Sequence, residues 1–211
     1  MAQLPSGILG PVSGSVGTIV GSSWKDTNYI RSKSSRPKGK PTPLQLDNQY
    51  KFSAVINFVS AMTDLLDQTF TNYATGMTPS NAAFSYNFEN AITGTSPDYS
   101  IDYPKALVSR GKLLNASGVA ATVTNKVLHF TWTDNSGLGK AAPTDKAVLV
   151  AYCKNYNLTI YSVGAVLRSA KAGVLDVSNF VGFTVETWIA FLNADGSMAS
   201  NSIYTGELMV S

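Results

Sequence analysis

The first 24 positions alternate small residues with branched apolar ones and carry no charge. A period of two is typical of an extended strand that packs one face. The run from Gly7 to Trp24 therefore predicts a strand, 25–28 a turn, and Tyr29–Ser32 a return strand, which together make a hairpin. Because a hairpin is marginal in water, we expect its apolar face to pack on the rest of the chain or on another subunit.

A segment rich in proline and lysine, residues 34–41, separates the hairpin from the next pattern. Thr42, Pro43 and Gln45 predict a helix start, with an N-cap, a proline at the first helical position and a capping box. Apolar residues then recur at helical spacing, at Phe52, Val55, Ile56, Val59, Met62, Leu66, Phe70 and Tyr73. This stripe predicts one long amphipathic helix over 44–73, ended by Gly76 and Pro79.

From residue 82 onward, short apolar runs alternate with turn residues. We predict strands at 83–87, 105–110, 120–124, 127–133, 147–155, 158–163, 167–169, 173–176, 184–192 and 202–210. Such spacing without helical periodicity favours an antiparallel β-sandwich. The predicted fold is mainly β, with an extended arm and hairpin over 1–41, the amphipathic helix over 42–80 and the sandwich over 81–211.

The composition narrows the function classes. Hydrophobic residues make up 44% of the 211 positions and charged residues 14%, so one sizeable core is possible without disulfides or metals. Cys153 is the single cysteine and His129 the single histidine, which excludes an internal disulfide and a His-rich metal site. Without a transmembrane run or a signal-peptide pattern, we expect synthesis in the cytoplasm and no membrane insertion. The final location, a virion or the cell exterior among the options, stays open.

Charge is distributed unevenly along the chain. Residues 25–51 hold seven basic and two acidic side chains, a net of +5, whereas residues 52–211 hold nine basic and eleven acidic ones, a net of −2. The basic arm comprises Lys25, Arg31, Lys33, Arg36, Lys38 and Lys40. Three interpretations stay open: a solvated linker, a contact with the acidic body of a neighbouring subunit, and nucleic-acid binding through phosphate neutralisation. Nucleic acid is the minor option, because Tyr29 is the only nearby ring that can stack on a base.

Neither candidate nucleophile system has a catalytic setting. Cys153 ends an apolar strand, which is typical of a buried structural thiol rather than a reactive one. His129 alternates with Leu128 and Phe130, so it points to the wetter face of its strand. The glycine-rich front end contains no phosphate-binding GxxxxGK[ST] motif.

The carboxylate pairs also lack a catalytic setting. Asp64 with Asp67, and Asp98 with Asp102, lack the polar and aromatic surroundings of an acid–base site and are typical of solvated positions. Asp195 precedes a glycine in a hairpin-turn pattern and lacks the alternate oxygen ligands of a calcium loop. We therefore predict no catalytic, cofactor-binding or metal-binding residue.

Particular residues carry two resemblances. Phe130-Thr131-Trp132, Asp145, Val148–Tyr152, Arg168-Ser169 and Ser200–Gly206 make residues from about 105 to 210 similar to a fibronectin type III-like sandwich. At the front end, Gly14–Gly17, Gly21–Lys25, Tyr29–Lys33 and Pro41–Gln45 resemble an uncharacterised bacterial domain family that joins this signature to a C-terminal sandwich. No activity comes with that family. Similar arms occur in proteins around phage particles and mobile elements, which implies an assembly component.

We therefore predict a non-enzymatic structural protein that self-associates into a homo-oligomer, filament or virion-type assembly. Its first 24 residues would add a strand to a neighbour's open sheet edge. The predicted interface side chains are Ile8, Leu9, Val12, Val16, Ile19, Val20 and Trp24. The alternative is a binding or adhesion module that recognises a carbohydrate or a protein through loops 134–146 and 193–201. An enzyme comes third, with Asp98, Asp102 and Arg110 in its cleft.

Overall fold

The computed structural model describes residues 10–24, 27–34 and 39–211. The chain divides into two compact units, Met1–Pro41 and Thr42–Ser211. In the first unit, strands β1 (Gly14–Val16), β2 (Ile19–Trp24) and β3 (Thr27–Ser32) form an antiparallel sheet in that order. The predicted hairpin is the β2–β3 pair. The predicted first strand is divided by a turn at residues 17–18, so the sheet has three strands instead of two.

The second unit begins with three helices, where the apolar stripe predicted one. They are α1 (Pro43–Ser60), α2 (Thr63–Thr69) and α3 (Pro79–Asn90), with a 3₁₀ turn at Thr71–Tyr73. The predicted capping box is confirmed, since the Thr42 hydroxyl accepts the N–H of Gln45 at 3.3 Å and the Gln45 amide oxygen accepts the N–H of Thr42 at 2.9 Å. The long helix breaks at Met62, whose φ of −140° lies outside the helical region.

The predicted stripe still marks much of the buried face. Its buried members, each at most 3% exposed, are Val55, Val59, Met62, Leu66 and Phe70. Two other members, Phe52 and Ile56, are exposed, whereas Phe58 and Leu65 beside the stripe are buried. Apolar spacing therefore continues across the break, and it does not reveal where one helix ends and the next begins.

The predicted strand at 83–87 is wrong, because these residues lie in α3. The Thr78 hydroxyl accepts the N–H of Asn81 at 3.2 Å, and Pro79 occupies the first helical turn. This is the same threonine–proline start that Thr42 and Pro43 give α1. Pro79 therefore begins a helix as well as following the end of another.

A short hairpin, β4 (Ile92–Thr95) and β5 (Asp98–Ile101), follows α3 and was not predicted. Its second strand packs against α1. The Tyr99 hydroxyl donates to Asp47 Oδ1 at 2.6 Å, and Lys51 Nζ lies 2.7 Å from Asp47 Oδ2. These hydrogen bonds, first from Lys51 and then from Tyr99, hold the pKa of Asp47 below its usual value.

The predicted strand at 105–110 is also wrong, since this segment is irregular. Side chains, in place of a partner strand, satisfy several of its backbone groups. The Asn87 amide bonds both the N–H and the carbonyl of Leu107 at 3.0 Å. The N–H of Val108 donates to Ser202 Oγ at 3.0 Å, and its carbonyl accepts from Thr69 Oγ1 at 2.8 Å. The segment thus lies between the helices and the last strand.

Seven further strands complete the fold: β6 (Ser117–Thr124), β7 (Val127–Thr133), β8 (Lys146–Cys153), β9 (Leu158–Leu167), β10 (Ala172–Asp176), β11 (Thr184–Leu192) and β12 (Ile203–Met209). They form an antiparallel three-stranded sheet, β10-β7-β6, and an antiparallel four-stranded sheet, β12-β11-β8-β9. The mainly β prediction is confirmed. The predicted run at 167–169 is not a strand of its own, because Leu167 ends β9 and Arg168–Ala170 form a 3₁₀ turn.

The four-stranded sheet is apolar on both faces. Along β8, Val148 and Val150 join the helices in one buried cluster, while Leu149 and Cys153 join the three-stranded sheet in a second cluster. Side chains of a strand alternate between faces, so a strand covered on both sides reads as an unbroken apolar run. This explains the continuous Val148–Tyr152 pattern.

A buried ion pair joins the loop before β8 to the end of β9. Arg168 is 0% exposed, and its Nε lies 3.0 Å from Asp145 Oδ2. Its two terminal nitrogens donate to Asn135 Oδ1 at 2.6 Å and to the Leu114 carbonyl at 2.8 Å. The guanidinium also lies 4.1 Å from the centre of the Phe191 ring. One side chain thus links four separate segments of the unit.

Candidate functional site

The predicted interface residues fall on the small sheet of the first unit. Val12 precedes it, Val16 lies in β1, and Ile19, Val20 and Trp24 lie in β2. Ile8 and Leu9 lie outside the described residues. Strand register then decides which of the described side chains share a face.

One face of this sheet presents three exposed aliphatic side chains. Val16 pairs with Ile19, and Gly21 pairs with Ile30. Because Ile19 and Gly21 are two positions apart on β2, both pairs lie on the same face of the sheet. Val16, Ile19 and Ile30 are 58%, 48% and 63% exposed. The sequence prediction omitted Ile30, although its position in the return strand is the signal that places it here.

The opposite face carries aromatic side chains. Tyr29 pairs with Ser22, and Trp24 lies two positions along the same strand from Ser22, so both rings point to the second side. Trp24 is 51% and Tyr29 42% exposed. Arg31 lies on this face as well, two positions from Tyr29. The sheet therefore offers apolar surface in both directions.

The segment before β1 lies directly on this sheet. A Cβ built on Gly21 would meet the Val12 carbonyl oxygen at 2.1 Å, so the close approach of the two backbones requires glycine. Within the described part of the first unit, Gly21 is the only buried residue. The unit thus has almost no core of its own among the residues described.

The basic arm is described in part. Arg31 lies in β3, Lys33 follows it and Lys40 precedes α1, and all three are exposed. None of these three forms an ion pair with another described residue. Lys25, Arg36 and Lys38 lie outside the described residues. Among the described residues, these three cations therefore have no acidic partner.

The histidine and the cysteine occupy opposite environments. His129 is exposed between Leu128 and Phe130, both buried on the inner face of β7. Cys153 is 0% exposed within the cluster shared by the two larger sheets. A fully buried thiol in an apolar cluster is shielded from reagents and partners.

The residues of the enzyme interpretation do not converge on one cleft. Asp102 forms an ion pair with Lys105, with 2.6 Å between Oδ2 and Nζ. The Arg110 guanidinium lies 4.2 Å from the Tyr73 ring centre and 4.7 Å from that of Tyr86. These rings and Arg110 line a pocket of ≈ 330 Å³ that neither aspartate of the predicted pair lines.

The loops of the binding-module interpretation are internally bonded. In loop 134–146, Asp134 Oδ1 accepts the N–H of Ser136 at 2.9 Å, and hydrogen bonds from Ser136 lower the pKa of Asp134. In loop 193–201, Asp195 Oδ1 accepts the N–H of Ser197 at 2.8 Å, which lowers the pKa of Asp195. Both carboxylates thus shape the turns in which they lie.

The described ranges lack two further kinds of feature. Those ranges contain no group of three or more histidine, cysteine, aspartate or glutamate side chains placed to hold a metal ion. Their helices include none that is long and apolar enough to cross a membrane.

Comparisons with curated proteins and with family models give different outcomes. No curated protein is similar to this chain. A family model described as a family of unknown function matches residues 11–206, from the segment that covers Gly21 to the last strand. This confirms the resemblance to an uncharacterised domain family. The chain therefore belongs to the family of unknown function DUF6266.

Proposed function

We propose that this protein is a structural subunit that assembles with copies of itself through its N-terminal unit. The observation that carries the proposal is the exposure of five large apolar side chains, Val16, Ile19, Trp24, Tyr29 and Ile30, on the sheet β1-β2-β3. Three short strands need a covered apolar face to be stable. Exposed apolar side chains grouped on both faces of so small a sheet mark an interaction site.

The occupant is a second copy of the chain, and its edge strand β9 is the proposed acceptor. β9 ends the four-stranded sheet, so one side of its backbone has no partner strand among the described residues. Its ten residues include no charge and no proline. Sheet edges are normally protected by such residues. An edge without them suits the addition of an N-terminal strand from a neighbour.

Charge favours the same pairing. Residues 25–51 carry a net +5, and residues 52–211 carry a net −2 from nine basic and eleven acidic side chains. A basic segment from one copy is therefore attracted to the body of another, and salt weakens that attraction. Because donor and acceptor are different surfaces, the contact repeats from copy to copy and builds a filament or a virion-type shell.

We further infer that β6 to β12 form a fibronectin type III-like sandwich. Its two sheets have the orders β10-β7-β6 and β12-β11-β8-β9. Leu128 and Phe130 from one sheet share an apolar cluster with Leu149 and Phe191 from the other. Facing sheets with an interdigitated core are the basis of this architecture. In the assembly, the sandwich would be the rigid body that presents β9.

The first test is mass photometry and negative-stain microscopy of the untagged protein across a salt series, with and without residues 1–22. We expect large regular particles that disappear on truncation and weaken with salt. A protein that stays monomeric in both forms contradicts the proposal, and so does an assembly that the truncation leaves unchanged.

Point variants identify the two surfaces. Replacing Val16, Ile19 and Ile30 by threonine removes apolar surface from exposed strand positions, and Leu138→Thr is the matched control at a 60% exposed position of the body. We expect the triple variant to abolish assembly and the control to retain it. Equal behaviour of the two contradicts a role for the small sheet.

A second pair of variants tests the acceptor edge. Ala165→Lys places a charge at an exposed position of β9, and Val174→Lys does the same on β10, the edge of the other sheet. A lysine on an edge strand opposes strand addition. Assembly that fails with Ala165→Lys and persists with Val174→Lys supports β9, and the reverse result assigns the contact to β10.

A further inference from the structure

A cleft of ≈ 380 Å³ opens in the second unit. Its sides come from α1, from β5 with the residues that follow it, and from the turn between β8 and β9. Small-molecule sites begin at about 300 Å³ and combine apolar surface with a few polar groups. The lining of this cleft follows that pattern.

Aromatic rings form the inner part of the cleft. Phe58 and Tyr152 are 1% and 4% exposed, and their ring centres lie 5.2 Å apart in an edge-to-face arrangement. The Tyr103 ring lies 6.1 Å from each of them. Mutual packing of this kind holds the three rings in fixed orientations, and an aromatic side chain has few rotatable bonds. The cleft therefore has a rigid aromatic floor.

Polar groups form its rim. The side chains of Asn57, Ser100 and Lys154 line the cleft, and none of them hydrogen bonds to another described residue. The Tyr152 hydroxyl donates to Asn157 Oδ1 at 3.0 Å, which leaves the amide NH₂ of Asn157 available. Donors and acceptors thus surround the aromatic floor, ready for a ligand with several hydroxyl groups.

The charges near the cleft do not favour an anion or a cation. Lys154 is the one basic residue in the lining. Glu186 lies opposite Tyr152 on the neighbouring strand and interacts electrostatically with Lys154. Burial raises the pKa of Tyr152 to about 12, so its phenol stays neutral under ordinary conditions. A site with balanced charges suits an uncharged ligand.

We propose that this cleft binds an uncharged saccharide of one or two rings. The apolar C–H face of a sugar ring packs on an aromatic surface, and its hydroxyls exchange hydrogen bonds with amide, hydroxyl and ammonium groups around the edge. The half-buried Tyr103 ring, which packs on the buried Phe58 and Tyr152 rings, provides the first contact, and the rim of Asn57, Lys154 and Asn157 the second. This site is separate from loops 134–146 and 193–201, and it does not depend on assembly.

The test is a ¹⁵N NMR titration of the full chain with glucose, galactose, mannose, N-acetylglucosamine, maltose and cellobiose. Inorganic phosphate and adenosine monophosphate serve as anionic probes. We expect saturable shifts from at least one sugar, confined to residues around Tyr99, Tyr103 and Asn157. The proposal is overturned if no sugar gives saturable shifts up to about 50 mM, well above the millimolar range of weak ligands. Saturation by the anions alone, or sugar shifts elsewhere in the chain, also overturns it.

Two exposed asparagines allow a matched comparison. Asn57 lines the cleft, whereas Asn155 lies in the same β8–β9 turn as Lys154 without lining it. Loss of one hydrogen bond weakens binding about three- to tenfold, so Asn57→Ala should raise the dissociation constant by that factor. Asn155→Ala should leave it unchanged. Equal dissociation constants for both variants would refute the assigned site, and unchanged spectra of the free variants verify that folding is intact.

Discussion

Replacing Arg168 by methionine tests how much the buried Arg168–Asp145 ion pair contributes to the stability of the second unit. Arg168 and Asp145 side chains are 0% and 1% exposed. In Arg168→Met, Asp145 would keep the N–H of Ala142 at 2.9 Å and lose its cation. The acceptors on Asn135 and Leu114 would lose their donors at the same time.

The expected magnitude follows from leaving a charge buried without a partner. Breaking one side of a buried ion pair costs about 3–5 kcal/mol of unfolding free energy. Domains are stable by about 5–15 kcal/mol, so this variant would lose a large share of its stability. For a domain of this size, about 2–4 °C per kcal/mol converts the loss to a melting temperature roughly 6–20 °C lower.

Urea unfolding followed by tryptophan fluorescence measures the effect, with Lys105→Met as the matched control. Lys105 lies 2.6 Å from Asp102, yet its side chain is 69% exposed. An exposed ion pair is worth at most about 1 kcal/mol. If Arg168→Met costs no more than Lys105→Met, the reasoning is refuted. Adding Asp145→Leu to Arg168→Met should recover part of the loss, because it removes the stranded charge.

Three further predictions concern single positions. Burial raises the pKa of Tyr152 from 10.0 to about 12. The stability that this phenol contributes is therefore complete below pH 10 and is lost as the pH rises toward 12. Tyrosinate absorbance should show one fewer late-titrating phenol in Tyr152→Phe. Thr42→Ala should lower the unfolding free energy by about 1 kcal/mol in urea titrations, while Thr42→Ser retains the cap. Gly111→Ala should cost about 1–3 kcal/mol in thermal melts because its Cβ would meet the Ala199 oxygen at 1.8 Å, whereas Gly39→Ala has no atom within 4 Å to meet.

The sequence predicted those parts of the fold in which local chemistry and burial agree. Strands β7 and β11 have the predicted bounds, because apolar alternation and turn residues delimit them. The start of α1 was predictable because Thr42 and Pro43 act within one turn. The same signal at Thr78 and Pro79 was assigned to the end of a helix, although threonine before proline favours a start.

The errors lie where tertiary contacts replace local ones. Residues 105–110 look like a strand because they contain the apolar run 106–108, but their backbone partners include the side chains of Asn87, Ser202 and Thr69. Those partners lie far away in sequence, so no local pattern can reveal them. The break of the long helix at Met62 also has no glycine or proline to mark it.

For the candidate sites, alternation alone selected most of the exposed side chains of the small sheet. The predicted interface omits Ile30, although Ile30 lies in the predicted return strand Tyr29–Ser32, where strand register places it beside Val16 and Ile19. The aromatic cleft was not predicted at all. Its members Phe58, Tyr103 and Asn157 come from three distant segments, and each is unremarkable in its own segment.

The two units differ in how their apolar side chains are covered. In the second unit, both faces of the four-stranded sheet contribute to buried clusters. In the first unit, Gly21 is the only described residue that is buried, and Trp24 and Ile30 are each more than half exposed. Burial of apolar surface is the main favourable term in folding, so a sheet that buries so little gains its stability when a partner covers it. In the proposed assembly, a neighbour's β9 would be that partner, and its own edge, which is unpaired among the described residues, would be covered in return. One contact would thus satisfy both surfaces, which is the physical reason to place assembly there.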